Sequence, residues 1–258
     1  MASKLKILVR CFKEIENWHA PVLQYFNVIK KKKIIKFKNG LKCYLRDRGD
    51  AIAFFENFFL DVNFPSKKFD INESDTVIDI GAHIGFFTII AAVKAKRGKI
   101  LAFEPNNKSF ELLRENIKLN KFENTIITNS GVLDVTGKAE LFLSDDYSIG
   151  NSMFLEKSDK KEIVEVVTLS DIINAHQIKK INLLKLDCEG AEFKIILNLN
   201  DDIIKKIEKI TVEVHPKMAN RSINELKEFL NKKGFLVQKR DLGGKEDLHM
   251  LYAVNQSY

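Results

Sequence analysis

Between Asp75 and Pro105 the spacing of apolar positions changes twice, and each change marks an element. Thr76-Val77-Ile78-Asp79-Ile80 is short, apolar and β-branched, which predicts a buried strand. A turn holding Gly81 and Gly85 follows. Helical spacing then takes over from Ile84 to Lys96, through Ile84, Phe87, Ile90 and Ala91. Gly98 ends that helix, and Lys99-Ile100-Leu101-Ala102-Phe103 predicts a second strand closing on Glu104-Pro105.

The rest of the chain is read the same way. Leu5, Leu8, Phe12, Ile15 and His19 recur at helical spacing, predicting an amphipathic helix packed on the body. Two alternating runs, 34–38 and 41–45, flank Asn39-Gly40, a strong hairpin signal. Residues 46–60 predict an aromatic-rich helix starting near Asp50, its phenylalanines packing the core. Beyond Pro105 come a helix over 109–120 and a strand over 125–129. Half-exposed strands follow at 137–143 and 162–168, separated by the polar loop 145–153. A helix at 169–177, a buried strand at 181–186, a helix to about Leu199 and a strand at 209–214 continue the alternation. A helix at 222–233 and two strands, 235–239 and 249–254, close the chain.

Alternating strands and helices predict an α/β fold with a doubly wound, mostly parallel sheet. The last two strands have no helix between them, so they form a hairpin and one strand runs antiparallel. The expected organisation is a basic helix and hairpin extension over 1–60 and a ligand-binding domain over 61–258. Within that domain, residues 131–168 form an inserted hairpin placed to cover a substrate.

Composition narrows the classes. The 258 residues, 45% hydrophobic, suffice for one large domain. No apolar run reaches the roughly 18 residues of a membrane span, and charges at Lys6, Arg10 and Lys13 interrupt the start too early for a signal-peptide core. Cys11, Cys43 and Cys188 are odd in number and lack metal-ligand spacing, which suggests a reduced, cytoplasmic setting. The net charge of +7 is concentrated: residues 1–60 hold 13 Lys or Arg against 5 Asp or Glu. The run Lys30–Lys33 reads first as a solvated face. Contact with an anionic membrane or a lipid-linked substrate is the functional alternative, and nucleic acid is less favoured. Oligomeric state has no signature.

A strand, a glycine turn, a helix and a second strand ending in an acid is a nucleoside-binding pattern, although such turns also occur without a ligand. In Gly81-Ala82-His83-Ile84-Gly85, bulky His83 stands where a dinucleotide fingerprint needs its second glycine. Asp79 also puts a negative charge by the turn, which disfavours a diphosphate and makes an NAD-dependent dehydrogenase the weaker reading. S-adenosylmethionine has no phosphate and carries a cationic sulfonium and amine. The expected cofactor contacts are Asp79, Gly81, Ala82, His83, Gly85, Thr88, Glu104 and Pro105, with the Glu104 carboxylate on the ribose hydroxyls.

In an open parallel sheet ligands bind beyond the carboxyl ends of the strands, which places Asp79, Glu104, Asp187 and His215 along one rim. Methyl transfer to an alcohol requires positioning and a proton acceptor. Asp187 and His215 are the candidates, with Glu189 next. The structural alternatives are capping of the helix starting at Gly190 and a turn histidine before Pro216. Asn151, Ser152 and Lys185 are the candidate substrate contacts. No metal is assigned, although a Mg²⁺-assisted variant would draw on Asp187, Glu189, Glu213 and His215.

The segments VIDIGAHIGFFT, AFEP, LLRENIKLN, LKLDCEGAEF and VEVHP together resemble the FkbM-type S-adenosylmethionine-dependent methyltransferases, over roughly Asp50 to His215. The run Lys185–Glu192 is the most family-specific piece. The resemblance implies a class I methyltransferase fold and O-methylation of a glycan, glycolipid or other metabolite hydroxyl. It also places Asp79, Gly81, Gly85 and Glu104 on the cofactor and Asp187 beside the methyl group. His83 departs from the family, which more often has a small amide there. The four prolines never pair as nucleic-acid amine methyltransferases require, and Cys188 follows Asp187 rather than a proline, as cytosine C5 enzymes would need. Two readings remain beside it: an RNA methyltransferase, and a non-catalytic basic RNA- or membrane-binding protein on the same fold.

Overall fold

Seven strands pair side by side around a centre of apolar strands buried on both faces, with more exposed strands at the two edges. In the computed structural model, which describes residues 2–60, 62–143, 152–153, 160–243 and 248–258, these are β3 (Thr76–Ile80), β4 (Lys99–Phe103), β5 (Thr125–Thr128), β9 (Leu183–Leu186), β10 (Lys209–Val214), β11 (Phe235–Gly243) and β12 (Leu248–Asn255). Their order is β11-β12-β10-β9-β3-β4-β5, with β12 alone running antiparallel. The chain runs outward to one side from β3 through β4 and β5, and to the other from β9 through β10, so the order reverses between β3 and β9. The fold is that of a class I methyltransferase, as expected.

Strand parity assigns the two faces. Ile78, Ile80, Leu101, Phe103, Leu184 and Leu186 turn to one side, into a core completed by α7 (Ala191–Leu197) and α10 (Ile223–Lys232). Val77, Ile100, Ala102 and Leu183 turn to the other, against α4 (Phe86–Lys94) and α5 (Asn107–Asn120). Asparagine and threonine caps start several of these helices: Asn106 for α5, Asn200 for α8 (Asp201–Ile204), and Thr168 in a capping box for α6 (Leu169–Ala175).

Residues 2–60 are not a free-standing appendage. They contribute α1 (Ala2–Glu14), α2 (His19–Tyr25), the hairpin β1 (Lys33–Lys36) and β2 (Lys42–Leu45), and α3 (Arg48–Phe59). Cys11, Ile15, Ile35, Leu45 and Phe54 share one core with Ile84, Phe86 and Leu113 of the body. The hairpin expected at Asn39-Gly40 is present. The helix expected over 4–19 breaks at Ile15, which bridges to Phe37, and α2 restarts at His19.

Its buried side also differs from the expectation. Leu5, Leu8 and Phe12 face water, at 64%, 41% and 60% exposure, while Cys11 and Ile15 are buried with Ile7 packed beside them. Tertiary contacts decide this, since Arg10 on the inner side donates to the backbone carbonyls of Phe58 and Phe59.

The insertion holds β7 (Gly137–Phe142) and β8 (Lys161–Thr168) as the expected antiparallel pair, plus an unforeseen β6 (Gly131–Leu133) parallel to β8. No helix among the described residues is long and apolar enough to cross a membrane.

Candidate active site

The reversal between β3 and β9 brings two loops together, residues 81–85 after β3 and 187–190 after β9. Gly81 makes this possible. It sits at φ +76°, and a β-carbon on it would lie 1.8 Å from the Asp187 carbonyl oxygen. Gly85, at φ +92°, is pressed against the Leu113 side chain in the same manner. The two glycines thus admit protein against protein at their α-carbons.

Asp79 lies inside the strand rather than at its mouth. Fully buried, its Oδ1 is 3.1 Å from Lys185 Nζ, and its Oδ2 accepts a hydrogen bond from Thr88 Oγ1 at 2.6 Å. Asp79 and Lys185 are register partners on adjacent parallel strands, so both side chains point to the α4 face. Burial opposes the ammonium charge, yet Asp79 and Asp187 hold Lys185 charged well above its usual range. Lys185, 5% exposed, also donates to the Gly81 carbonyl at 2.9 Å. The structure thus places Asp79, Thr88 and Lys185 in the interior behind the 81–85 loop.

Glu104, at the end of β4, is the acid that remains at the rim. Its Oε2 accepts from the His83 backbone at 2.7 Å and its Oε1 from the Asn106 backbone at 2.9 Å. Burial pushes this carboxyl up to about 7, against the pull of those two amides and of Lys185. Each oxygen keeps a further lone pair for an incoming hydroxyl, so the pair of acceptors fits a ribose diol. Pro105 follows in the same turn, with its carbonyl accepting from Asn129, and Ala82 is buried in the neighbouring core.

His83, at φ +52°, is held from the N-terminal segment. Asp50 is fully buried, takes Arg46 through both carboxylate oxygens at 3.0 and 3.1 Å, and lies 3.3 Å from His83 Nε2. Arg46 itself reaches His83 Nε2 at 3.2 Å. Burial lowers the imidazole pKa, with Arg46 adding to that and Asp50 opposing it. Nothing in the periodicity of residues 46–50 announced this contact.

Beyond β9 and β10 the polar side chains form a second cluster. Asp187 is 36% exposed by side chain and 3.5 Å from Lys185. His215 is buried, with Nε2 3.3 Å from Glu189 and 3.7 Å from Glu213, and Nδ1 3.5 Å from Glu192. Burial opposes its charge, but the carboxylates of Glu189, Glu192 and Glu213 outweigh it and raise the imidazole well above its usual pKa. Burial, with Asp187 next, raises the Glu213 carboxyl as well. That balance favours the protonated imidazole, with the three acids as its partners. Gly190 brings no side-chain cap to α7, while His215 stands in the turn before Pro216, at the start of α9 (Pro216–Ala219), as its structural alternative had it. Glu192 accepts from the backbone of Gly190 at 2.8 Å and of His215 at 2.6 Å, tying the two loops.

Two further acids belong here. Glu192 was legible as part of the Lys185–Glu192 run. Glu56 of α3 was not: it is exposed at the mouth yet closely packed by protein, and that desolvation with the Asp187 charge raises it to about 7. Asp187, Glu213 and His215 each bring a possible ligand atom within 4.8 Å of the others. Ser152 of the insertion donates to the Glu189 carbonyl at 2.6 Å, which docks the insertion on this loop. Asn151 lies outside the described residues.

Known proteins resemble this chain in sequence and in fold. The methyltransferase FkbM domain model matches residues 79–237. The chain is 23% identical to the 31-O-demethyl-FK506 methyltransferase FkbM of Streptomyces tacrolimicus over 233 residues, covering 79% of this chain and 88% of that protein. It is 23% identical to the hexuronic acid methyltransferase AglP of Haloferax volcanii over 163 residues, covering 61% and 65%. Among solved structures, methyltransferase FkbM from Methylobacillus flagellatus aligns with TM-score 0.51 and 18% identity, over 75% of this chain and 47% of that one. The fibrillarin pre-rRNA processing protein of Methanococcus jannaschii aligns with TM-score 0.50 and 14% identity, over 87% and 83%.

Proposed function

This chain belongs to the FkbM methyltransferase family and is an S-adenosylmethionine-dependent methyltransferase, and from that premise we propose that it O-methylates a hydroxyl of a glycan, glycolipid or similar metabolite. The observation that carries the reading is Asp187, the one carboxylate of the second cluster that is both open to solvent and anchored, through Lys185, to the cofactor loop. Once bound, S-adenosylmethionine supplies a methyl group on a cationic sulfur. Glu104 would hold its ribose, and His83 would line the same turn. The chain's own work is then to orient an acceptor and take its proton. Asp187 Oδ atoms accept that proton, Glu189 stands next to it, and imidazolium His215 keeps Glu189 and Glu213 in place rather than acting as the base.

A rim offering Asp187 and Glu189, with the raised carboxyls of Glu56 and Glu213 beside them, suits a polyhydroxylated acceptor, whose O–H groups donate to carboxyl oxygens. The Asp187 and Glu189 charges oppose a phosphodiester, which disfavours RNA. The names of two relatives, a 31-O-demethyl-FK506 methyltransferase and a hexuronic acid methyltransferase, support the same class. The described insertion residues, resting on Glu189, would cover the acceptor. Incubation with labelled methyl donor should place label in a glycan or lipid fraction, with or without a metal chelator. Asp187→Asn should lower turnover by roughly 10²-fold or more with little change in cofactor affinity. Label in RNA alone would overturn the acceptor class.

Cofactor binding should also be linked to a proton. With Glu104 raised from 4.5 to about 7, the folded chain retains a proton between those values that the unfolded chain has lost. Glu104 therefore adds stability at low pH that declines as pH rises through that window. Ribose hydroxyls donate to the ionised carboxylate, so binding favours proton release. Affinity should climb between pH 5 and about 7, by at most about tenfold per pH unit. Titration calorimetry in two buffers of different ionisation enthalpy should show the released proton, and Glu104→Gln should abolish it.

A further inference from the structure

The outward side of α1 is apolar where water should meet charge. Leu5, Leu8, Val9 and Phe12 are exposed at 41–64%, and Trp18, 37% exposed, meets Phe12 edge-on at 6.0 Å, carrying the patch across the junction with α2. Phe26 and Val28 add 69% and 67% exposure just beyond α2. Of the fourteen exposed large apolar side chains among the described residues, seven lie in these first 28 positions. That concentration separates the patch from ordinary scattered exposure.

The charges around the patch are mostly of one sign. Lys6 and Lys13 are exposed on the same helix, and Lys38 lies over the Phe12 ring at 5.5 Å while donating to the Phe12 carbonyl. Lys30, Lys31 and Lys33 are exposed, and Lys32 pairs with Glu115. Opposing them are Glu14, paired with Arg10, and exposed Glu16.

We propose that this face, α1 with the start of α2 and the lysines beside it, docks on an anionic lipid bilayer. An apolar stripe with phenylalanine and tryptophan, flanked by lysines, is the pattern of a helix lying in the membrane interface. The leucine and valine enter the acyl boundary, and the lysines meet lipid phosphates. A second copy of the chain is disfavoured because it would bring the same lysines against these. RNA is disfavoured because Leu5, Leu8 and Val9 offer nothing to phosphates. The inference goes beyond the choice of acceptor and stands independently of it. Arg10 fastens α1 to the last turn of α3, so the docked face is rigidly joined to the body.

The test is co-sedimentation of the full chain with phosphatidylcholine vesicles, with and without about one third phosphatidylglycerol, in the absence of cofactor and acceptor. Binding should need the anionic lipid and weaken with salt. It should fall at least tenfold in Leu8→Glu/Phe12→Glu, and separately when Lys30, Lys31 and Lys33 become glutamate. All these positions are exposed, so the variants should keep the wild-type melting curve and cofactor affinity. Wild-type chain that stays in the supernatant at low salt overturns the proposal. So does binding that the variants leave intact, or a dimer in sedimentation equilibrium that Phe12→Glu disperses without any vesicle binding.

Discussion

Replacing Lys185 by methionine should destabilise the protein by about 3–5 kcal/mol. Lys185 Nζ is the cation beside Asp79, which is fully buried and has Thr88 as its other partner. Removing one member of a buried pair leaves an uncompensated charge in a medium that solvates it poorly. Urea unfolding measures the loss. Asp79→Asn in the same chain should restore much of the lost stability, because a neutral amide can keep the Thr88 hydrogen bond. A single variant that behaves like an ordinary surface change, within roughly 0.5 kcal/mol, would show that the pair does not hold the loops.

Gly81→Ala should be nearly as damaging, at roughly 2–5 kcal/mol when backbone strain and overpacking are combined. The new methyl would sit 1.8 Å from the Asp187 carbonyl oxygen and 2.7 Å from its carbon. These are backbone atoms, so no rotamer change relieves the collision. The loops after β3 and β9 must part, and Asp187, His83 and the Lys185 bond to the Gly81 carbonyl move with them. Cofactor titration should therefore fail even at temperatures where the variant remains folded. Gly40→Ala is the control: it has the same sign of φ, at +91°, but open space around the site. It should cost only the left-handed backbone strain, about 1–2 kcal/mol, and leave cofactor binding intact. Equal effects at the two glycines would mean that the close approach of the loops is unimportant.

The two variants separate what was readable along the chain from what was not. Strand β3, the helix after it and β4 were legible because a buried strand and a helix differ in their local spacing of apolar residues. The antiparallel β12 was legible because no helix joins it to β11. Glu104 was found as an acid closing a strand, and Lys185–Glu192 as a family-specific run.

Asp79 was placed at the mouth of its strand because an acid in an apolar run looks like a ligand contact. Its actual partner is 106 positions away and becomes its neighbour only through the register of β3 with β9. His215 looked like a base until three carboxylates surrounded it. Glu56, Asp50 and Arg46 reach the site from a segment read as an extension.

Local alternation thus determined, from the sequence by itself, which segments are strands and helices and that the sheet is doubly wound, while the motif segments carried the family resemblance. Tertiary structure alone decided which face of α1 meets water, which glycine contact is intolerant of a methyl, and which acids are paired or left open at the rim. The physical reason is range. Apolar periodicity is set by neighbours a few residues apart, whereas desolvation and charge pairing depend on atoms that strand register and helix docking bring together from distant parts of the chain.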